Sequence, residues 1–284
     1  PEPLALYHTL FDLNPAPHAA YLRIDPYRLA DAGCEAGGAG GGAGGDGGEG
    51  GGEGGGFGPG GMALCSSSPE RFLRVSRDGR VECKPIKGTA PRGQTKEEDE
   101  ALAVSLQGGT KDRAENLMIV DLIRNDLSRV SSVGSVRVPS FMVLESFASV
   151  HQLVSTVTAE LLPGLHALDA IGSAFPPGSM TGAPKVRTMR LIDELERHLP
   201  RGAYSGALGY FSIDGAADMS VVIRTAAVDE AGVSIGAGGA VTVLSDPVEE
   251  WNEVMLKARN VVRAVAQCAC GRPDAYRIID RGTT

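Results

Sequence analysis

The stretch MALCSSSPERFLRVSRDGRVECKPIKG, residues 62–88, holds two strand-like runs on either side of a turn signal. Residues 62–75 predict a strand, and RDGR at 77–80 predicts a tight turn. Residues 81–88 then predict the returning strand. Because a short turn joins strands that run in opposite directions, this stretch predicts a hairpin and an antiparallel sheet.

Further helices and strands follow in an irregular order. The predicted helices cover 95–107, 111–130, 182–199 and a last segment that starts with Asp246 as N-cap and Pro247 as first residue. The further predicted strands cover 151–161, 206–214, 219–228 and 233–244. Because strands and helices do not alternate regularly, the sequence predicts an α+β fold with mostly antiparallel sheets.

Residues 37–61 are a low-complexity segment made mostly of glycine. Such a segment cannot bury enough apolar surface to offset its ordering entropy, so we expect a disordered loop or linker. As a linker it would separate residues 1–36, which are too short to fold alone. We therefore predict an insertion within one catalytic domain, residues 1–266, which is followed by a tail, residues 267–284.

Composition excludes several classes of protein. The net charge of −8 argues against nucleic acid as a partner, and no apolar run reaches the ~18 residues that a membrane span needs. Five scattered cysteines without a CxxC pair indicate a reducing compartment, such as the cytoplasm or a plastid stroma. The chain starts at Pro1, so we expect a fragment or a processed form.

Acidic residues recur at helical spacing on two predicted helices. Asp112 and Glu115 lie three apart, as do Glu250 and Glu253, and Lys257 follows Glu253 by four. Residues three or four apart share a helix face, so two such helices could hold Mg²⁺. Surface acids with one Glu–Lys pair explain the same spacing and are the commoner outcome.

Glycine-rich and basic segments offer sites for an anion. The loop 175–185 leads into a helix, whose free backbone N–H groups could bind a carboxylate. Arg224 lies in an apolar strand and needs a partner there, either an internal acid or a ligand carboxylate. The glycines of 236–240 allow a close backbone approach, although a β-bulge would explain them equally well.

The residues alone do not decide whether Lys87 and His151 have a catalytic role. A lysine is a nucleophile only when neutral, which requires burial or a nearby cation, and most single lysines are solvated surface charges. A histidine can act as acid or base near neutral pH, but a core histidine is the simpler interpretation.

Eight segments appear in the order found in chorismate-utilising enzymes, a family that includes anthranilate, aminodeoxychorismate, isochorismate and salicylate synthases. They are SSSPERFL, KPIKGTAPRG, RAENLMIVDLIRNDLSRV, VHQLVST, GSMTGAPKVRTMRLIDELE, YSGALGYFSIDG, SVVIRT and EEWNEVMLKAR. The resemblance covers about residues 1–265 apart from the glycine-rich segment. It implies a large α+β fold, in which antiparallel sheets form a sandwich with helices outside.

The resemblance also implies a Mg²⁺-dependent site for chorismate. Glu115 and Glu253 would be metal ligands, and Glu250 and Asp112 would support the metal through water. Lys257 would lie beside the metal and a substrate carboxylate.

By the same resemblance, Arg224 and Tyr210 would grip the enolpyruvyl carboxylate with help from the backbone N–H groups near Gly238 and Gly239. One family feature is altered here, since Ala240 stands where a third glycine is common.

The ring of the substrate would lie against His151 and Thr181, and Glu70 would be the general acid for the departing 4-hydroxyl. Lys87 separates the family members. In anthranilate synthases, the stretch that resembles this one reads PIAGT, with alanine in place of the lysine. In aminodeoxychorismate synthases it reads PIKGT, as it does in this sequence. In the latter group the lysine is the proposed covalent nucleophile.

The sequence therefore favours conversion of chorismate and ammonia to 4-amino-4-deoxychorismate, a precursor of p-aminobenzoate and folate. The ammonia would come from a glutamine amidotransferase, either a separate subunit or a fused domain. Two alternatives stay open: an anthranilate synthase, or an inactive chorismate-binding fragment. The second rests on the resemblance, which places a further N-terminal region before Pro1.

Overall fold

A computed structural model describes residues 1–25, 60–147, 150–243 and 245–279. Its strands are, in chain order, β1 (His18–Ile24), β2 (Met62–Ser68), β3 (Arg71–Val75), β4 (Arg80–Cys83), β5 (Ile86–Pro91), β6 (Arg137–Ser146), β7 (Val150–Glu160), β8 (Ala207–Phe211), β9 (Ala217–Val221), β10 (Thr225–Asp229) and β11 (Gly232–Ile235). Its helices are α1 (Pro3–Leu13), α2 (Lys96–Gly108), α3 (Thr110–Ser128), α4 (Ala167–Ala174), α5 (Lys185–Leu195) and α6 (Pro247–Cys270).

The strands form two antiparallel sheets, which confirms the α+β prediction. The smaller sheet has the order β1-β2-β10-β11. In the larger sheet, β7 pairs with β6 on one edge and with β5 and β4 in succession on the other. Strands β3, β9 and β8 then continue from β4. No helix in the described parts of the chain is long and apolar enough to cross a membrane.

Each sheet has its own hydrophobic core with helices. Leu73, Val81 and Val157 of the larger sheet pack with Leu127 of α3. The smaller sheet packs against α1 and α6, through the cluster Leu6, Leu10, Cys65, Ala226, Val228, Val261 and Ala264. Complete burial of each such aliphatic side chain contributes about 1.5–3 kcal/mol, so these contacts fix where α3 and α6 lie.

Residues 1–24 belong to the same folded unit as residues 62 onward. Strand β1 pairs with β2 along its whole length, from His18 opposite Ser68 to Ile24 opposite Met62. The glycine-rich segment connects these two strands, and most of it, residues 37–59, lies outside the described residues. The predicted C-terminal tail starts too early, because α6 continues to Cys270 and ends only at Gly271, whose φ is +70°.

Two of the predicted strands, 62–75 and 219–228, are each divided between the sheets. The run 62–75 breaks after β2, because Pro69 has no N–H group to donate to a ladder. The run 219–228 breaks after β9, and Arg224 at this crossing has a left-handed φ of 53°. The two places where the chain passes from one sheet to the other lie side by side, since Ser68 Oγ donates to the Val221 carbonyl at 2.7 Å. Glu70 and Arg224 therefore sit at the junction of the sheets.

Other local predictions have mixed outcomes. The RDGR turn is confirmed, because β3 and β4 pair across it with Arg74 opposite Glu82. The Asp246 cap is confirmed too, since its carboxylate accepts from the N–H groups of Val248 and Glu249 at 2.9 and 3.0 Å. The predicted strand 233–244 is wrong beyond Ile235. Helices α1 and α4 and strand β6 were not predicted.

Candidate active site

Helices α3 and α6 bring four carboxylates into one electrostatic cluster. Asp112 and Glu115 come from α3, whereas Glu250 and Glu253 come from the first two turns of α6. Burial is the main cause that raises the pKa of Asp112 and of Glu115, and the negative charge of Glu253 adds to both effects. Asp112, Glu115 and Glu253 therefore lie close enough to repel one another.

Lysine ammonium groups face these glutamates. The Nζ atom of Lys87 on β5 lies 3.8 Å from Oε2 of Glu115, and that of Lys257 lies 2.6 Å from Oε1 of Glu253. Because the Lys87 side chain is only 17% exposed, it is a residue of the site and not a solvated surface charge.

Lys111 is a third lysine of the cluster, and the sequence did not single it out. Its Nζ atom lies 2.7 Å from Oε1 of Glu250, which is 7% exposed. The same oxygen accepts from Ser245 Oγ at 2.6 Å. The hydrogen bond to Lys111 is the main cause that lowers the pKa of Glu250.

The chemistry of these carboxylates fits Mg²⁺, which prefers oxygen ligands and neutralises clustered negative charge. In their present arrangement, no three His, Cys, Asp or Glu side chains of the described ranges are grouped closely enough to hold a metal ion. Lysine contacts hold Glu250 and Glu253 instead. The donor types suit a divalent cation, whereas in this arrangement Glu250 is paired with Lys111 and Glu253 with Lys257.

Glu70 lies at the crossing between β2 and β3, beside a small cavity lined mainly by apolar side chains such as Phe72, Ile119 and Val221. Burial raises the pKa of Glu70, whereas a hydrogen bond with Ser179 and the charges of Lys87 and Lys257 act in the opposite direction. A carboxyl group in such a place keeps its proton more readily than one in water. Ser179 was not predicted, although it belongs to the glycine-rich loop.

Arg224 has no acidic partner within 4 Å among the described residues, so the internal ion pair that its position suggested is not formed. Its Nη1 atom donates instead to the backbone carbonyl of Lys257 at 2.8 Å. Burial lowers the pKa of Arg224, and the charge of Glu253 opposes this effect. The remaining guanidinium donors suit an external carboxylate.

The loop 236–239 approaches the site closely, which favours the close-approach interpretation over a simple bulge. Lys257 Nζ donates to the Gly238 carbonyl at 3.3 Å. A Cβ atom at Gly238 would lie 2.6 Å from the hydroxyl of Tyr204, and one at Gly239 would lie 3.3 Å from Glu250 Oε2.

The structure points to Tyr204 in place of Tyr210. Tyr210 lies on the edge strand β8 opposite Asp218 and is 62% exposed. Tyr204 is half-buried against Gly236 and Gly238, and burial raises its pKa. Both tyrosines belong to the segment YSGALGYFSIDG, so the motif alone could not tell which one reaches the glycine loop.

Thr181 follows the short 3-10 turn Gly178–Met180 and donates to the Gly178 carbonyl at 3.3 Å. The buried ion pair of Lys185 with Asp126, 2.6 Å long, holds this loop on α3. Lys185 Nζ also donates to the Ala174 carbonyl at 2.7 Å. The loop that carries Thr181 is thus anchored from both sides.

His151 is buried at 3% exposure, and both ring nitrogens have hydrogen-bond partners. Its Nε2 lies 2.9 Å from Asp99 Oδ1, and its Nδ1 lies 2.8 Å from Ser146 Oγ. Asp99 in turn pairs with Arg92. The structure therefore places His151 in a network that ties α2 to β6 and β7, and its hydrogen bonds go to none of the other predicted site residues.

Comparisons with known proteins agree with this geometry. Residues 56–263 match the family described as chorismate binding enzyme. An aminodeoxychorismate synthase from Streptomyces pristinaespiralis is 48% identical over 282 residues, covering 99% of this chain and 34% of that protein. Aminodeoxychorismate synthase component 1 from Escherichia coli K12 is 47% identical over 201 residues, covering 71% of this chain and 44% of that protein.

Among solved structures, anthranilate synthase component I from Streptococcus pneumoniae TIGR4 superimposes with a TM-score of 0.70 at 32% identity. The superposition covers 91% of this chain and 49% of that one. This chain thus spans about a third to a half of the length of these three proteins. Since the family match extends over most of the chain and includes both carboxylate-bearing helices, the chain belongs to the chorismate binding enzyme family.

Proposed function

We propose that this chain carries the chorismate-aminating centre of an aminodeoxychorismate synthase. The observation that carries the proposal is the position of Lys87 among the acids of the site. Its Nζ atom lies 3.8 Å from Glu115, and its charge lowers the pKa of Glu70, Asp112 and Glu115 alike. The resemblance of its segment to the PIKGT form supports the same assignment.

In the proposed reaction, the Lys87 amine bonds to C2 of the chorismate ring while the C4–oxygen bond breaks. The ring double bonds shift, and the 4-hydroxyl leaves as water with the proton of Glu70. Ammonia then bonds to C4, and the C2–nitrogen bond breaks to release Lys87. Covalent attack divides one difficult displacement into two easier steps.

Glu70 suits the role of general acid because hydroxide is a poor leaving group and needs a proton. Burial raises the pKa of Glu70, which keeps a proton available closer to neutral pH. The positive charges of Lys87 and Lys257 act against this rise in the pKa of Glu70, because both ammonium groups lie near its carboxyl group.

Arg224 and the backbone around Gly238 form the proposed carboxylate site. The Arg224 guanidinium is partly desolvated and donates only to the Lys257 carbonyl, at 2.8 Å, among the described residues. Tyr204 lies against Gly238 and replaces Tyr210 as the proposed tyrosine contact. A bidentate arginine contact with a carboxylate is stronger than a neutral hydrogen bond.

Glu115 and Glu253 would hold Mg²⁺, and Asp112 and Glu250 would support it through water. When bound, the metal would neutralise and orient the ring carboxylate of chorismate. Glu115 would then be engaged by the metal and would no longer be a free partner for Lys87, 3.8 Å away.

The ammonia source follows from the relatives. The similar protein from Escherichia coli is named component 1, a name that implies a second component. We propose that a glutamine amidotransferase, as a separate subunit or a fused domain, supplies the ammonia.

The test is to incubate the chain with chorismate, Mg²⁺ and ammonium and to identify products by mass spectrometry. We expect 4-amino-4-deoxychorismate. Anthranilate as the sole product would overturn the assignment in favour of an anthranilate synthase. Chorismate binding without turnover would favour a binding fragment.

A further inference from the structure

Lys111 makes a direct contact between the two helices that carry the candidate metal ligands. It lies in the first turn of α3, and its Nζ atom is 2.7 Å from Oε1 of Glu250, in the first turn of α6. Glu250 is buried, and its only other hydrogen-bond donor in the described chain is Ser245. A buried carboxylate that loses its counter-ion is strongly destabilised.

The two helices otherwise belong to different cores. Helix α3 packs on the larger sheet, where buried Asn116 donates to the Leu153 carbonyl at 3.2 Å. Helix α6 packs on α1 and the smaller sheet, where Val261 shares a cluster with Leu6 and Cys65. The Lys111–Glu250 pair therefore joins the two packing units at the site itself.

The ammonium of Lys111 lies among the carboxylates of the cluster. On α3, Lys111 directly precedes Asp112 and stands four residues before Glu115, on the same helix face, while its Nζ atom contacts Glu250. A divalent cation at the same carboxylates would meet its repulsion.

We propose that Lys111 is a positioning residue: an internal cation that holds Glu250 against α3 in the metal-free chain and competes with a divalent cation for that carboxylate. The first part stands on the geometry alone, and the second rests on the proposed Mg²⁺ site. The contact between Lys111 and Glu250 explains why the four carboxylates of the cluster are not gathered around one metal position, although their chemistry suits a metal.

The first test is a double-mutant cycle on metal-free protein. We expect Lys111→Met to lower the Tm by roughly 5–10 °C, because Glu250 is left buried and unpaired. Glu250→Gln added to Lys111→Met should restore much of this loss, and Lys111→Arg should keep most of the stability. Lys96→Met is the matched control, since Lys96 lies in an exposed pair with Glu100, and it should leave the Tm unchanged.

The second test is a titration with magnesium chloride. Trp251 is the single tryptophan of the chain and follows Glu250 directly, so its fluorescence reports on this end of α6. We expect Lys111→Met to bind Mg²⁺ roughly tenfold more tightly than the unaltered chain, which is the effect of removing about 1.4 kcal/mol of repulsion. Lys111→Arg should bind as the unaltered chain does.

Two results would overturn the proposal. Additive effects of Lys111→Met and Glu250→Gln on the Tm would show that the pair holds nothing together. Equal or weaker Mg²⁺ binding by Lys111→Met, or none in either chain, would refute the competition. Neither test measures aminodeoxychorismate, so a wrong reaction assignment would leave both results intact and would appear only in the product assay.

Discussion

Lys87 on β5 and Glu115 on α3 face each other at 3.8 Å, with only 17% and 12% of their side chains exposed. A strand end and the second turn of a helix thus deliver an amine and a carboxylate to the same partly dry cleft. The two groups are close enough for an ion pair, and the carboxylate is one of the proposed metal ligands.

Replacement of Lys87 should remove the proposed reaction. We expect Lys87→Ala to lower aminodeoxychorismate formation at least ~100-fold, because the proposed covalent step requires the Lys87 amine. Lys87→Arg should fail as well, since a guanidinium does not become neutral. Product formation is measured by mass spectrometry with ammonium as nitrogen donor.

Lys84→Ala is the matched control in the same stretch, because Lys84 pairs with Glu145 at the surface, 3.5 Å away. It should keep full activity. Undiminished product from Lys87→Ala would refute the covalent mechanism.

Glu70 should make stability depend on pH. Burial raises the pKa of Glu70 above its ordinary value of 4.5, so the folded chain binds this proton more tightly than the unfolded chain does. The stabilisation is fully present below pH 4.5 and is lost as the pH rises through the folded-state pKa. We expect Glu70→Gln to remove this fall in stability with rising pH. The measurement is the Tm of the variant and of the unaltered chain at several values between pH 4 and 8.

The exposed Glu97→Gln substitution is the control and should follow the unaltered chain at each pH. Parallel Tm curves for Glu70→Gln and the unaltered chain would contradict a proton held by burial.

Arg224 should be needed to bind a carboxylate ligand. We expect Arg224→Gln to raise the Kd for chorismate roughly 10- to 100-fold, because the loss of a charge-assisted contact costs about 1.5–3 kcal/mol. Arg224→Lys should recover only part, since an ammonium lacks the planar fork. Calorimetric titration with chorismate gives the Kd, the exposed Arg190→Gln is the control, and normal binding by Arg224→Gln would exclude the proposed contact.

Tyr204 and Tyr210 form a matched pair from one motif. We expect Tyr204→Phe to weaken chorismate binding several-fold, because its hydroxyl lies at the Gly238 backbone. Tyr210→Phe should change nothing, since that ring is exposed on β8. The same titration distinguishes them, and the reverse order of effects would restore Tyr210 to the site.

Gly236 should tolerate no side chain. We expect Gly236→Ala to destabilise the chain by about 1–3 kcal/mol, because the new Cβ atom would lie 2.2 Å from Cγ and 2.4 Å from Cβ of Tyr204. Gly172→Ala is the contrast: a Cβ atom there meets nothing within 4 Å, and alanine in a helix gains about 0.5–1 kcal/mol over glycine. Denaturant unfolding measures both, and a stable Gly236→Ala would show that the loop can move aside.

Local chemistry explains which elements the sequence could predict. The RDGR turn and the Asp246–Pro247 helix start depend on neighbouring residues alone, and both were predicted. The strands 62–75 and 219–228 were predicted as single runs, because their apolar pattern does not record a change of sheet. Trp251 follows the apolar spacing of the last helix, yet it is 61% exposed, since α6 extends beyond its core at this end.

The candidate site likewise divides into features that local sequence predicts and features that depend on tertiary contacts. The sequence by itself determined the residue types: carboxylates at helical spacing, a lysine in PIKGT and a glycine-rich loop, which carry the family resemblance. Only the tertiary structure decided that Tyr204 and not Tyr210 reaches the loop, and that Lys111 pairs with Glu250. It also decided that no acid of the described ranges lies within 4 Å of Arg224. These facts depend on contacts between α3, α6 and the sheet junction, and residues far apart in the chain acquire such contacts only when two separate cores have packed.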